Sequence, residues 1–170
     1  IWTTTPWTLT SNVVVGVNVD LDYVKLKAVD GSIYYFAQEN LEFQRLEKQY
    51  NEKKQWIDDV PKLKTIAQIF KERGGFDVME ILKGSDMVGW EYTGHYDDLE
   101  EKKTPGGYPF TDAELEQKNV ASVNQHRVIN PGKDNIGNDI VVAGEGTGIV
   151  HMAPGCGDID HRVGKKHKLV

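Results

Sequence analysis

The 170 residues carry a formal charge of −6, one cysteine and a hydrophobic fraction of 39%, enough for one ordinary domain with its own core. That charge excludes a phosphate-backbone binder of the basic kind, since the basic cluster Lys165-Lys166-His167-Lys168 is short. No apolar run approaches the ~20 residues of a membrane span, and a single cysteine, Cys156, excludes an internal disulfide and suits a reducing cytosol, so a cytoplasmic protein without membrane contact is expected.

Residues 3–12, Thr3-Thr4-Thr5-Pro6-Trp7-Thr8-Leu9-Thr10-Ser11-Asn12, have no helical or strand period after Thr5. Pro6 disfavours a helix before it, and so many hydroxyls do not pack dry. The run reads either as a plain polar loop or as a substrate-lining loop that presents several hydroxyls together. Val13, Val15, Val17 and Val19 then alternate with polar or small residues, the pattern of a half-buried strand. Residues 23–29 and 33–37 form two more strands around an Asp30-Gly31 hairpin signal. Asn40 can cap a short helix running to Tyr50. Leu63, Ile66, Ala67 and Phe70 recur at helical spacing between Pro61 and Gly74-Gly75, which marks a second helix.

Residues 76–82 and 87–92 read as strands. Residues 97–118 shift to charges, Gly and Pro and read as a loop or insertion, with a helical turn at 112–117 and no chemistry of their own. Residues 120–129 are extended, 131–138 are a turn-rich loop, and 140–143 are a short strand. Seven or eight short strands with two or three helices and no regular βα alternation predict an α+β domain, mainly β with peripheral helices and barrel-like.

The last stretch is the most informative. Residues 147–152 read as a strand, Ala153-Pro154-Gly155-Cys156-Gly157 as an irregular turn, and Asp158 as the N-cap of a helix with Lys165, Lys166 and Lys168 in its last turn. This joint leaves His151 at a strand end and Asp160 at a helix start, able to face one pocket. In an arbitrary sequence Asp160 would merely complement the helix dipole and His151 would be a satisfied core residue. Two further uses of the same residues are conceivable on chemistry alone: Cys156 and His151 as a thiol hydrolase, or His151, Cys156, Asp158 and His161 around a metal. The first lacks a third group to orient the pair, and the second lacks the tight Cys/His spacing of zinc sites. No metal is expected.

Taken together, the two ends of the chain resemble the editing domain of isoleucyl-tRNA synthetase, the insertion that interrupts its catalytic domain. That family carries Trp-Thr-Thr-Thr-Pro-Trp-Thr-Leu-Pro-x-Asn, seen here from Trp2 to Asn12, and Gly-Thr-Gly-x-Val-His-x-Ala-Pro-Gly-x-Gly-x-x-Asp, seen here from Gly146 to Asp160. The likeness is looser at residues 87–92 and 126–129 and is not traced through 97–119. Valyl and leucyl relatives carry Thr-Thr-Arg-Pro in the first motif, so Thr5-Pro6-Trp7 favours the isoleucine enzyme. Thr10 stands where the family usually has Pro, Cys156 where bacterial members often have His, Ile159 in place of an acidic residue and His161 in place of Tyr.

The resemblance implies a single editing domain over residues 1–170, a piece of a larger class I synthetase, that hydrolyses valine wrongly joined to tRNA or to AMP. One methylene in a pocket is worth only about 1–3 kcal/mol, the choice between isoleucine and valine being the standard example, so a second, hydrolytic pocket is needed. Thr3, Thr4, Thr5 and Asp160 are the implied catalytic residues. The threonines offer hydroxyls to the carbonyl, the ribose and a water, and Asp160 pairs with the free α-ammonium. Trp7, Asn12 and His151 are the implied substrate-binding residues, as an apolar wall, a support for the loop and, for His151, a limit on side-chain size together with a contact to the ribose. Water is the nucleophile, and no cofactor is implied within this domain. The implied partners are the valine-bearing 3′ end of the isoleucine tRNA, valyl-adenylate and the remainder of the synthetase, with the domain acting as a monomer. The alternatives are a tRNA-end binding module without hydrolysis and the editing domain of a valyl or leucyl relative.

Overall fold

Val14 is completely buried because it sits in the middle strand of a three-stranded sheet. The computed structural model describes residues 1, 3, 5–43, 64–104, 113 and 121–169. Among these, β1 (Val14–Gly16) lies between β5 (Val128–Ile129) and β6 (Val150–Met152), parallel to the first and antiparallel to the second. A second three-stranded sheet has β2 (Asp22–Ala28) between β3 (Ile33–Ala37) and β4 (Phe76–Lys83), with all pairs antiparallel. The α-helices with described bounds are α1 (Ile66–Glu72), α2 (Gly84–Met87), α3 (Glu100–Lys103) and α4 (Asp158–His167). The α+β class is as expected. The described strands form two small sheets and not a closed barrel, because several expected strands are something else.

The central position of β1 changes the reading of its valines. The alternation predicts one wet face, yet Val13, Val14, Val15 and Val17 are all buried. Val15 and Val17 pack with Tyr23, Ala37, Met87 and Val128, whereas Val13 and Val14 pack with Ile129, Met152 and Val163 of α4. Two separate cores therefore meet across one strand. A third core forms where α1 lays Ile66 and Phe70 on Val24 and Leu26. Thr65 starts α1 through a reciprocal capping box with Gln68. Pro61 and Leu63 lie outside the described residues.

Other local expectations are corrected. Asn40 does not cap a helix. Its buried side chain donates to the carbonyls of Glu145 (2.7 Å) and Gly146 (3.1 Å) and accepts from the Gly144 N–H (2.7 Å), so it pins the loop that leads into β6. A short 3-10 turn covers Gln38–Leu41, and residues 44–63 lie outside the described residues. Residues 87–92 are not a strand: Asp86 accepts from the Lys83 N–H to open α2, and Gly89 takes φ +91°, leaving a single bridge between Glu91 and Arg127. Within residues 120–129 a 3-10 turn, Ser122–Gln125, precedes the two-residue β5. Residues 140–143 join neither sheet, the Val141 carbonyl accepting instead from the Asn18 amide at 2.9 Å. The helical turn expected at 112–117 lies outside the described residues, apart from Ala113.

The second sheet fixes the approach to the C-terminal motif. The Tyr23 hydroxyl, fully buried, donates to the Gly148 carbonyl at 2.7 Å, and the Ala37 N–H donates to the Thr147 carbonyl at 2.9 Å. Gly148 takes φ +71°, which only glycine adopts freely, so β6 begins at Val150 and not at Thr147.

Candidate functional site

The strand–turn–helix joint forms as expected, with one change at its start. Gly157 is the N-cap and Asp158 the first helical residue, where its carboxylate meets Arg162 one turn on at 2.7 Å. The Asp160 Oδ2 accepts from the Ala153 N–H at 2.9 Å. That bond ties the first turn of α4 back to the residue that follows β6. A carboxylate has about four acceptor positions, so the tie leaves Asp160 with acceptor capacity to spare. Gly164 lets α4 lie against the turn: a Cβ there would sit 2.8 Å from that of Pro154.

His151 lies two residues before Ala153, in register with Val15 of β1. Its ring is buried and both nitrogens are engaged, Nε2 with the Thr8 hydroxyl at 2.8 Å and Nδ1 with the Asn12 amide nitrogen at 3.0 Å. The same amide nitrogen donates to the Val14 carbonyl at 3.0 Å. A carbonyl accepts only, so the Asn12 NH₂ faces His151 and donates to Nδ1. The proton then resides on Nε2, which donates to Thr8, and Thr8 in turn donates to the Thr5 carbonyl at 2.8 Å. Burial pushes the His151 imidazole below its ordinary value; Asp160 opposes that shift and Lys102 adds to it. A neutral ring agrees with the hydrogen-bond pattern.

The threonine loop is organised around the same contact. Pro6–Ser11 is a 3-10 helix with Pro6 at its first position. Thr3 Oγ1 accepts from the Thr5 N–H at 3.1 Å and lies 3.3 Å from Thr5 Oγ1, which lies 3.4 Å from Thr8 Oγ1. Three hydroxyls thus gather at one corner. Thr4 and Trp2 lie outside the described residues, as does Val170, and with them the expectation that Trp2 and Val170 share one side of the domain. Trp7 is 73% exposed, so it is not a core residue; its carbonyl accepts from the Thr10 hydroxyl at 3.3 Å.

Residues that the sequence reading passed over complete the arrangement. Thr8 belongs to the motif but was not singled out, although its place three residues after Thr5 in a Pro-initiated turn brings the two hydroxyls together. Tyr92 donates its hydroxyl to Asn12 Oδ1, and burial pushes that phenol upward, Asp97 adding to the rise while the Asn12 bond opposes it. Lys102, 7% exposed, donates Nζ to the Asn12 carbonyl at 2.9 Å and lies 3.8 Å from Asp97 Oδ1. Burial lowers the Lys102 ammonium against the pull of Asp97. Asp97 and Lys102 belong to the stretch given no chemistry. Its charged composition reads as solvent-facing, and the burial of one lysine within it leaves no signal in the sequence.

The site does not fit a thiol hydrolase. Cys156 is exposed, while both nitrogens of His151 are committed to Thr8 and Asn12. Among the described residues no group of three or more His, Cys, Asp or Glu is gathered in a way that could hold a metal ion, and His151, Cys156, Asp158 and His161 are not so gathered.

No family model matches the chain. It is 31% identical over 169 residues to the isoleucine–tRNA ligase of Sulfolobus acidocaldarius, which covers 99% of this chain and 12% of the relative. It is 33% identical over 171 residues to that of Aquifex pyrophilus (99% of the chain, 24% of the relative) and 29% identical over 170 residues to that of Methanococcus maripaludis (99% and 13%). The chain therefore spans a quarter or less of the length of these relatives. Similarity along nearly the whole chain means that the chain belongs to the isoleucyl-tRNA synthetase family, of whose members it matches a part.

Proposed function

We propose that this chain is the hydrolytic proofreading domain of an isoleucyl-tRNA synthetase and removes valine from the 3′ end of the isoleucine tRNA and from valyl-adenylate. The observation that carries this reading is the hydrogen bond between Thr8 and His151 at 2.8 Å. It fastens the hydroxyl-rich loop of the first motif to the strand of the second, and the N–H of Ala153, two residues past His151, holds Asp160 beside that strand end.

The chemistry follows from these groups. The Asp160 carboxylate pairs with the α-ammonium of the aminoacyl group and so distinguishes it from a plain acyl ester. Hydroxyls of the threonine loop hold the ester carbonyl, the ribose and the attacking water. Attack forms a tetrahedral oxyanion, stabilised by hydroxyls and backbone N–H groups, which is where most of the rate gain is placed. Collapse expels the ribose oxygen, which takes a proton and leaves free valine and uncharged tRNA. His151, locked by Thr8 and Asn12, presents a fixed ring edge that limits side-chain size. Both its nitrogens are already paired, so a steric role suits it better than contact with the ribose.

Hydrolysis of valyl-tRNA tests the reading. Turnover of the valyl ester with sparing of the isoleucyl ester is expected, and binding of the charged end without turnover would reassign the chain as a recognition module. The relatives named above are isoleucine–tRNA ligases, which supports isoleucine over the valyl and leucyl alternatives.

A further inference from the structure

Asn12 is gripped at three atoms from three directions. Its amide nitrogen bonds His151 and the Val14 carbonyl, its amide oxygen takes the Tyr92 hydroxyl, and its backbone carbonyl takes the Lys102 ammonium. Tyr92 is itself held by stacking on the buried His126, centroids 4.8 Å apart at 27°. His126 Nδ1 and Lys102 Nζ both approach the Asp97 carboxylate, at 3.3 and 3.8 Å. Burial keeps His126 titrating below its ordinary value, with Asp97 opposing and Lys102 reinforcing.

We propose that Tyr92 and Lys102, from a segment outside both motifs, are positioning residues that clamp Asn12 and through it hold His151 and the threonine loop in working geometry. This inference rests on the hydrolytic reading above. A lysine buried to this degree is costly to desolvate, and an apolar side chain of similar volume packs such a space at least as well. What an apolar residue lacks is a donor for the Asn12 carbonyl and a positive charge acting on His151. The charged groups acting on His151 are Asp160, which raises its titration, and Lys102, which lowers it. The clamp therefore sets the place of the ring, and Lys102 adds to the burial that keeps it neutral.

Lys102→Met, Lys102→Arg and Tyr92→Phe test the clamp in the 170-residue chain, by nitrogen-15 NMR of the His151 ring and by valyl-tRNA hydrolysis. Lys102→Met is expected to raise the His151 titration midpoint, because a nearby cation is lost, and to lower kcat about tenfold at unchanged KM. Lys102→Arg is expected to restore both. Tyr92→Phe keeps the stacked ring and is expected to move the His151 Nδ1 resonance as Asn12 loosens. An unmoved His151 midpoint in a folded Lys102→Met chain of merely lower Tm overturns the role of Lys102, and an unmoved Nδ1 resonance in Tyr92→Phe overturns that of Tyr92. Should Lys102→Met not fold, the Tyr92→Phe resonance decides. The NMR result stands apart from hydrolysis, so an inactive parent chain with a responsive His151 refutes the function and keeps the clamp.

Discussion

The Thr8 hydroxyl meets Nε2 of His151 at 2.8 Å across 143 positions of sequence. Through that bond a loop at the head of the chain and a strand near its tail become one surface. Thr8→Val removes the hydroxyl at nearly constant volume and is expected to cost valyl-tRNA hydrolysis about tenfold to a hundredfold, since the loop loses its anchor. Thr8→Ser keeps the oxygen and is expected to stay within about threefold of the parent chain. Side-by-side rate measurements check the pair; equal rates for the valine and serine variants would contradict the anchoring role.

Asp160 accepts from the Ala153 N–H and, on the proposed function, also pairs with the substrate amine; substitution can separate the two. Asparagine keeps an oxygen for the Ala153 N–H but removes the charge, so Asp160→Asn is expected to fold with nearly unchanged Tm and to lose hydrolysis. Asp160→Ala also leaves the Ala153 N–H without its acceptor and is expected to lose a further ~1 kcal/mol of stability. Chemical denaturation and deacylation rates together distinguish the two effects.

His151→Ala removes a ring that fills buried space between Asn12 and Thr8. Isoleucyl-tRNA, which the parent chain is expected to spare, is expected to be hydrolysed by this variant, because the excluded volume becomes available. Stability is expected to fall by roughly 1–3 kcal/mol as two polar partners lose their bonds. Continued sparing of isoleucine would assign the size limit to another residue.

Stability should depend on pH in one direction. His126, His151 and His167 are all lowered from 6.5, burial being the first cause in each. The unfolded chain then binds more protons than the folded one as pH falls below about 6.5, so their contribution to stability is complete above that value and is lost progressively below it. Tm is expected to fall between pH 7 and pH 5. A flat profile would contradict neutral buried rings. His126→Gln is expected to flatten the slope in part.

Cys156 is exposed and no ring nitrogen of His151 is available to it. Cys156→Ser is expected to leave hydrolysis within about twofold of the parent chain, and a dead variant would revive the thiol mechanism.

Much of this was readable from residue order, and the failures have physical causes. The β2–β3 hairpin, α1, β4 and the β6–turn–α4 joint follow from alternation, capping and glycine placement. Strand expectations failed where a side-chain bond outcompeted the ladder, local for Asp86 at α2 and long-range for the Asn18 amide on the Val141 carbonyl. Asn40 was misread because a cap and a loop pin use the same side-chain atoms, and only the fold decides which backbone groups it meets. Of the site, Thr3, Thr5, Asn12, His151 and Asp160 were named from the motifs. Lys102 and Tyr92 were not, because their relation to Asn12 arises from contacts 90 and 80 positions apart that no local pattern encodes.

On the proposed function, the carboxylate of Asp160 recognises the free amine of a misattached small amino acid while the threonine loop directs water to its ester. The most direct measurement compares hydrolysis of valyl-tRNA and N-acetyl-valyl-tRNA by the parent chain and by Asp160→Asn. Turnover only of the free-amine ester, and only by the parent chain, is expected. Equal turnover of the acetylated ester, or full turnover by Asp160→Asn, would contradict it.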